Sequence, residues 1–136
     1  MGHGELAERL ALDEGEDVVR TQYLIRMDGQ PVSASLSWEP ARITAGTDVE
    51  DPHEGPLANT GIVPRMDAIG YRVTDVREDV EGRMPHAEER ERLDIAAGVP
   101  LIEIQQTFYS GDTPVQAADI TIPADRYRLS FRMPVE

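Results

Sequence analysis

The sequence repeats itself. Glu8-Arg9-Leu10, Gly15, Gln22, Pro31-Val32, Ala34 and Pro40-Ala41 recur as Glu91-Arg92-Leu93, Gly98, Gln105, Pro114-Val115, Ala117 and Pro123-Ala124. Every pair is offset by 83 (91 − 8 = 98 − 15 = 123 − 40 = 83), so 10 of the 34 positions from Glu8 to Ala41 match without a gap. Leu12 with Ile95, Val18-Val19 with Leu101-Ile102 and Ile25 with Phe108 are conservative matches in the same register. Two such units in 136 residues are each too short to bury an adequate core alone, so the expectation is one domain spanning 1–136 with an internal pseudo-repeat.

Each unit reads as a short helix, a glycine stop, a strand, a turn and a second strand. The helices are expected over 5–12 and 85–93. Pro85 suits a first turn, Glu88 and Glu89 sit near the amino end, and Arg90 and Arg92 near the carboxyl end, in the sense the helix dipole favours. Gly15 and Gly98 are the expected left-handed stops. Asp28-Gly29 signals a hairpin between strands 18–27 and 31–38; Gly111-Asp112 in the second unit implies another turn type.

Along 31–38, Val32, Ala34, Leu36 and Trp38 alternate with Ser33, Ser35 and Ser37, which predicts a core face and a small hydroxylic face. On the preceding strand Arg20 and Gln22 share a parity and project to one side. A fifth strand is expected over 71–80, a short helix over 60–69 with Pro64 in its first turn, and a last strand over 126–133. In that last strand Tyr127, Leu129, Phe131 and Met133 oppose Arg126, Arg128, Ser130 and Arg132. The fold class that follows is α+β, an antiparallel sheet flanked by helices.

The charge, 13 basic against 26 acidic residues for a net −13, excludes unaided DNA binding, which needs a basic face of order 6–10 phosphate contacts. With no cysteine, disulfides, thiolate nucleophiles and cysteine-ligated zinc are excluded together. No apolar run reaches the roughly 18 residues a membrane span needs, and the amino terminus lacks a basic, apolar leader; a cytoplasmic protein with no membrane partner is expected. His3, His53 and His86 never fall at helical metal-ligand spacing, and no nucleophile elbow or glycine-rich phosphate loop occurs, so no metal, cofactor or catalytic residue is expected. Paired acids such as Glu88-Glu89 are read as solvated helix ends. The 42–65 stretch has no Arg or Lys between its ends, clusters Asp48, Glu50, Asp51 and Glu54 among glycines and prolines, and is either a surface connection or a lid over a pocket. The sheet face carrying Arg20, Gln22 and serines is likewise either a solvated face or a concave site with convergent polar groups.

Several segments in order carry a family likeness: Leu10 to Gly15 with Val18-Val19-Arg20, the turn Asp28 to Val32, Ser37-Trp38-Glu39-Pro40, Gly61-Ile62 through Ala68-Ile69-Gly70-Tyr71, Glu78, Arg83-Met84-Pro85, Gly98-Val99-Pro100-Leu101, Pro114-Val115 and Asp125-Arg126-Tyr127. Together they resemble the UTRA domain, the effector-binding half of HutC-type regulators in the GntR family, from about Glu5 to Met133. The resemblance implies a chorismate lyase-like fold, a homodimer, a small-molecule effector, and operator DNA read by an amino-terminal winged helix-turn-helix domain absent from this chain. It implies ligand contacts at Arg20, Gln22, Ser35, Gly61, Val63, Glu78 and Gln116. Where the family commonly shows a second arginine, an acid, a serine and a tyrosine, this chain has Gln22, Gln116, Gly61 and Val63, and Gln106 replaces another arginine. Those departures remove cations and hydroxyls that would hold a sugar phosphate, and favour a less polar or neutral effector. The alternative is a standalone chorismate lyase-like enzyme, against which the glutamines at 22 and 106 count; a purely structural dimerisation module is a third reading.

Overall fold

A computed structural model describes residues 3–135; Met1, Gly2 and Glu136 lie outside the described residues, and with them the first residues of the expectation made for the amino terminus. The elements run α1 (His3–Arg9), β1 (Val18–Met27), β2 (Gln30–Pro40), α2 (Ala41–Thr44), α3 (Ile62–Ala68), β3 (Asp75–Arg83), α4 (Ala87–Leu93), β4 (Leu101–Ser110) and β5 (Thr113–Pro123). The five strands form one antiparallel sheet in the order β1-β2-β5-β4-β3, an α+β architecture.

Adding 83 to the bounds of β1 gives those of β4 (18 + 83 = 101, 27 + 83 = 110), and adding 83 to β2 gives β5 (30 + 83 = 113, 40 + 83 = 123). Both hairpins carry a register shift at the same place, Ile25/Arg26 and Phe108/Tyr109. Their turns differ. Asp28 (φ 52) and Gly29 (φ 78) are both left-handed, whereas in the second hairpin only Gly111 (φ 59) is; a tight hairpin turn of the first kind requires two positive φ values, and an Asp-Gly pair supplies them at little strain.

The helices do not stop at Gly15 and Gly98 as expected. The left-handed residues that end them are Ala11 and Asp94, both at φ 50, again 83 apart; the glycines shape the next turn, where the chain reverses toward the strand. α4 also starts later than expected. His86 is its N-cap and Glu89 reaches back to accept the His86 N–H at 2.9 Å, a capping box that leaves Pro85 outside the helix. Glu89 is therefore buried, not a solvated helix end.

β2 and β5 meet with Leu36 opposite Asp119, Ser35 opposite Ile120 and Ser37 opposite Ala118. Since 119 − 36 = 83, a local two-fold axis passes through that first pair. α1 and α4 lie on one face of the sheet, each toward the other unit. Leu6 of α1 and Leu10 just past its end cluster with Trp38 and with Ala117 of β5, while Leu93 of α4 clusters with Ile95, Leu101 and with Ala34 of β2.

The serine face is the covered one. Ser33 and Ser37 are buried, because the 41–74 connection with α2 and α3 folds over that side of the sheet, around a third cluster of Ile43, Met66 and Val115. Pro64 does sit in the first turn of α3. β3 begins at Asp75 rather than 71, since Tyr71 and Val73 pack against that cluster instead of pairing. The expected last strand is not formed: β5 already has β2 and β4 on its two sides, and Arg126 holds the carbonyls of Pro31 (2.9 Å), Leu93 and Asp94, which leads the chain off the sheet. Beyond it Tyr127, Phe131 and Met133 are exposed.

Leu10 and Leu93 are both fully buried at equivalent places. Leu10→Ala and Leu93→Ala are each expected to cost about 2–5 kcal/mol, with losses alike within about 1 kcal/mol; urea unfolding at unchanged m-value checks both.

Candidate functional site

Two cavities flank the sheet. On the helix face lies one of about 580 Å³, floored by Gln22, Leu36, Gln105 and Asp119 and walled by Glu5, His86 and Arg92. Its charges largely satisfy one another. Arg83 donates to Glu89 at 2.7 and 2.8 Å and to Glu103 at 2.6 Å; the Arg83 contact holds the Glu89 carboxyl below the usual carboxylate range despite partial burial. Arg9 meets Asp119 at 2.8 Å, and burial nevertheless pushes the Asp119 carboxyl up. This is a network of internal pairs with few free groups for a ligand.

The opposite face carries the better candidate, a cavity of about 400 Å³. Strand alternation places Tyr23 and Ile25 of β1, Ser35 and Ser37 of β2, Gln116, Ala118 and Ile120 of β5, and Gln106 and Phe108 of β4 on one side. The connection supplies the cover through Pro52, His53, Asn59, Gly61 and Ile62. His53 packs edge-on to the Tyr23 ring with centroids 5.0 Å apart, and its Nδ1 lies 3.2 Å from Asn59 Oδ1. The acidic 42–65 stretch is thus a cover over a pocket.

At one end of this cavity sits a buried ion pair. Arg65, 1% exposed, donates from both terminal nitrogens to Glu39, 3% exposed, at 2.9 Å each, and also to the Val49 carbonyl. Gln116 Nε2 donates to the same carboxylate at 2.7 Å. Burial works against the Arg65 charge, and the Glu39 carboxylate more than restores it, holding the guanidinium firmly protonated. Arg65 Nε has no hydrogen-bond partner among the described residues. Burial also pushes the Tyr23 hydroxyl up, against the lowering effects of Ser37 and Arg65.

Of the residues expected in the site, Ser35, Gly61 and Gln116 line this cavity. Arg20 and Gln22 do not join them: their partners across the β1–β2 ladder are Trp38 and Leu36, on the helix face, where Gln22 lines the larger cavity and Arg20 is exposed. A one-residue change of position on a strand moves a side chain to the other face, and the β1 residues that face Gln116 are Tyr23 and Ile25. Val63 is 53% exposed on α3. Glu78, on the outer strand, accepts from Gln106 Nε2 at 2.6 Å and so stands one side chain behind the cavity. Tyr23, Asn59 and Arg65 were not anticipated. One signal was available for Arg65: a lone carboxylate, Glu39, at the end of a strand with Trp38 and Pro40 needs a cation, and Arg65 is the first arginine past the acidic stretch.

The UTRA domain family model matches residues 3–128. The chain belongs to the UTRA domain family. An uncharacterized HTH-type transcriptional regulator of Streptomyces coelicolor is 30% identical over 110 residues, 81% of this chain and 41% of its own length. A protein described as a GntR-family transcriptional regulator superposes with a TM-score of 0.91 at 41% identity, over 98% of this chain and 54% of the other. The C-terminal domain of the histidine utilization repressor from Pseudomonas syringae pv. tomato gives 0.78 at 26% identity, over 96% and 89%. The UTRA domain described here thus spans about half the length of the first two. No helix among its described residues is long and apolar enough to cross a membrane.

Breaking the buried pair of this UTRA domain should be costly. Glu39→Gln strands the Arg65 charge and is expected to lower stability by about 3–5 kcal/mol, whereas Glu39→Leu with Arg65→Met should lose much less than the sum of the single changes; a denaturation cycle measures this. Tyr23 provides a pH test. Its folded pKa is raised from 10.0, so folding favours the neutral phenol. Stability should fall as pH rises above about 10 toward the folded value, and Tyr23→Phe should remove that component, as urea unfolding at stepped pH measures.

Proposed function

We propose that this UTRA domain is the effector-sensing, dimerising part of a GntR/HutC-type transcription regulator working in the cytoplasm. In this reading operator DNA is contacted by a separate amino-terminal helix-turn-helix domain, and the net charge of −13 belongs to a part that stays off the DNA. The observation that carries the reading is the covered cavity: neutral donors and acceptors stand over an apolar floor, and the single guanidinium among its lining residues, Arg65, is matched by Glu39.

Such a cavity suits a neutral, amphipathic small molecule. An apolar body would lie on Ile25, Phe108 and Ile120, and a polar end would reach Tyr23, Ser35 and Gln116. A phosphorylated ligand would bring charge that no free cation balances, and each charged group left without its partner costs about 1–3 kcal/mol or more. Binding would act on the cover, because His53 rests on Tyr23 and α3 is tied through Arg65. A ligand that prefers one position of that cover shifts the population of dimer geometries, and with it the fit of two DNA-binding heads to half-sites about 34 Å apart. Lyase chemistry has less support, since a dicarboxylate substrate would meet the same shortage of cations.

A thermal-shift panel of neutral aromatics, nucleosides and sugars against their phosphorylated counterparts tests this. Neutral compounds should stabilise the domain, and Tyr23→Phe and Ser35→Ala should each weaken them by up to about tenfold, with Arg20→Ala without effect. Preferential binding of phosphorylated compounds, or its loss in Arg20→Ala, overturns the reading.

A further inference from the structure

The larger cavity, on the helix face, keeps few free groups, and the internal repeat shows what one of them lacks. Its floor is one row across four strands, Gln22, Leu36, Asp119 and Gln105. The local two-fold axis passes through the middle of that row. α1 packs on Trp38 and Ala117 to one side of it, and α4 on Ala34 and Leu101 to the other. Arg9 and Arg92 are therefore counterparts that reach the row from opposite sides (9 + 83 = 92).

Arg9 has a full set of acceptors. It donates to the Asp119 carboxylate at 2.8 Å and to the carbonyls of Gln106 (2.9 Å) and Ala118 (3.4 Å). Subtracting 83 from these three positions gives Leu36, Tyr23 and Ser35, and all three line the cavity together with Arg92. The acid is missing from this second set. Arg92, in the last turn of α4, has no ion pair or hydrogen bond among the described residues, and Gln22, the ladder partner of Leu36, has no side-chain hydrogen bond there. The half of the cavity over β1 and β2 thus presents a guanidinium and an amide above the apolar surface of Leu24, Ala34 and Leu36.

The remaining charge has the other sign. Glu5, Glu89, Glu103 and Asp119 line the cavity. Arg9 takes Asp119, the single Arg83 serves both Glu89 and Glu103, and Glu5 has no cation among the described residues. Four carboxylates against Arg9, Arg83 and Arg92 leave one negative charge in excess (3 − 4 = −1). These acids do not gather into a group that could hold a metal ion among the described residues, so an organic ammonium suits them better. A bare anion on Arg92 would deepen the excess, and a bare cation would leave Arg92 unmatched. A molecule carrying one charge of each sign meets both conditions, because charge-assisted hydrogen bonds then form at each end.

We propose that the helix-face cavity is a second small-molecule site, separate from the covered one, and that it takes an amino acid. Its carboxylate lies over Leu36 and gives Arg92 what Asp119 gives Arg9, with Gln22 as a second donor; its ammonium faces Glu5 and Glu103. Gln22 and Tyr23, like Leu36 and Ser35, are chain neighbours on opposite faces of the sheet, so the two cavities share one wall.

The test titrates the twenty standard L-amino acids, with β-alanine and γ-aminobutyrate for longer charge separations, one by one into the full chain by isothermal calorimetry. At least one should bind at millimolar concentration or below, and its amide and its N-acetyl derivative, each lacking one charge, should bind about tenfold or more weakly. Arg92→Gln, at an exposed position, should weaken binding by a similar factor with an unchanged circular dichroism spectrum. Leu36→Asp gives Arg92 the acid that its counterpart has and should abolish binding; if that variant does not fold, Arg92→Gln decides alone. No binding by any of these compounds makes Arg92 a solvated surface residue and overturns the assignment. Binding indifferent to Arg92→Gln, as for an amino acid held in the covered cavity, overturns it too, as does tighter binding of putrescine or acetate than of every amino acid.

Discussion

A carboxylate buried at the end of β2 governs the site. Taking Glu39 and Arg65 out of water carries a desolvation cost of several kcal/mol per ion, which only close geometry and extra hydrogen bonds offset. Both are present: two parallel contacts of 2.9 Å, a third donor from Gln116 and a carbonyl acceptor from Val49. The pair therefore joins four pieces that are distant in sequence, namely β2, the covering loop, α3 and β5. It also cancels its own charge, so a chain with a large negative excess encloses a cavity that is close to neutral.

The two sides of the sheet divide the chemistry between them. The helix face holds the partly exposed ion pairs, Arg83 between Glu89 and Glu103, and Arg9 on Asp119, and these stitch α1 and α4 to the strands beneath. The other face holds, besides the single buried pair of Glu39 and Arg65, hydroxyls, amides and aliphatic side chains under a loop. Pairs on the first face are satisfied locally, whereas the second retains groups with hydrogen-bonding capacity to spare.

Much of this was legible in the sequence. The offset of 83 located both hairpins, because strand bounds follow from apolar alternation and from turn pairs such as Asp28-Gly29 that tolerate few backbone conformations. The acidic stretch was legible as a possible cover. Other elements depended on contacts far along the chain. Ser33 and Ser37 look solvated until α3 is placed over them, and Glu89 looks solvated until Arg83 arrives from the neighbouring strand. Arg20 and Gln22 were assigned to the site from family likeness, and the face they occupy depends on the β1–β2 register, which puts Tyr23 beside Ser35. Residues 126–133 carry the pattern of a strand, and pattern alone does not provide an edge to pair with.

The internal offset extends to the points where the chain leaves each hairpin: Ala41 after β2 and Ala124 after β5, with 124 − 41 = 83. From Ala41 the chain turns inward, and thirty-odd residues later it has roofed one side of the sheet (74 − 41 = 33). From Ala124 it is caught by Arg126 and sent outward. The same exit thus serves two purposes, and the near-symmetry of the two hairpins is broken where each of them ends. The roof can consequently diverge in length and composition to suit a new guest without disturbing the rungs of the ladder below it.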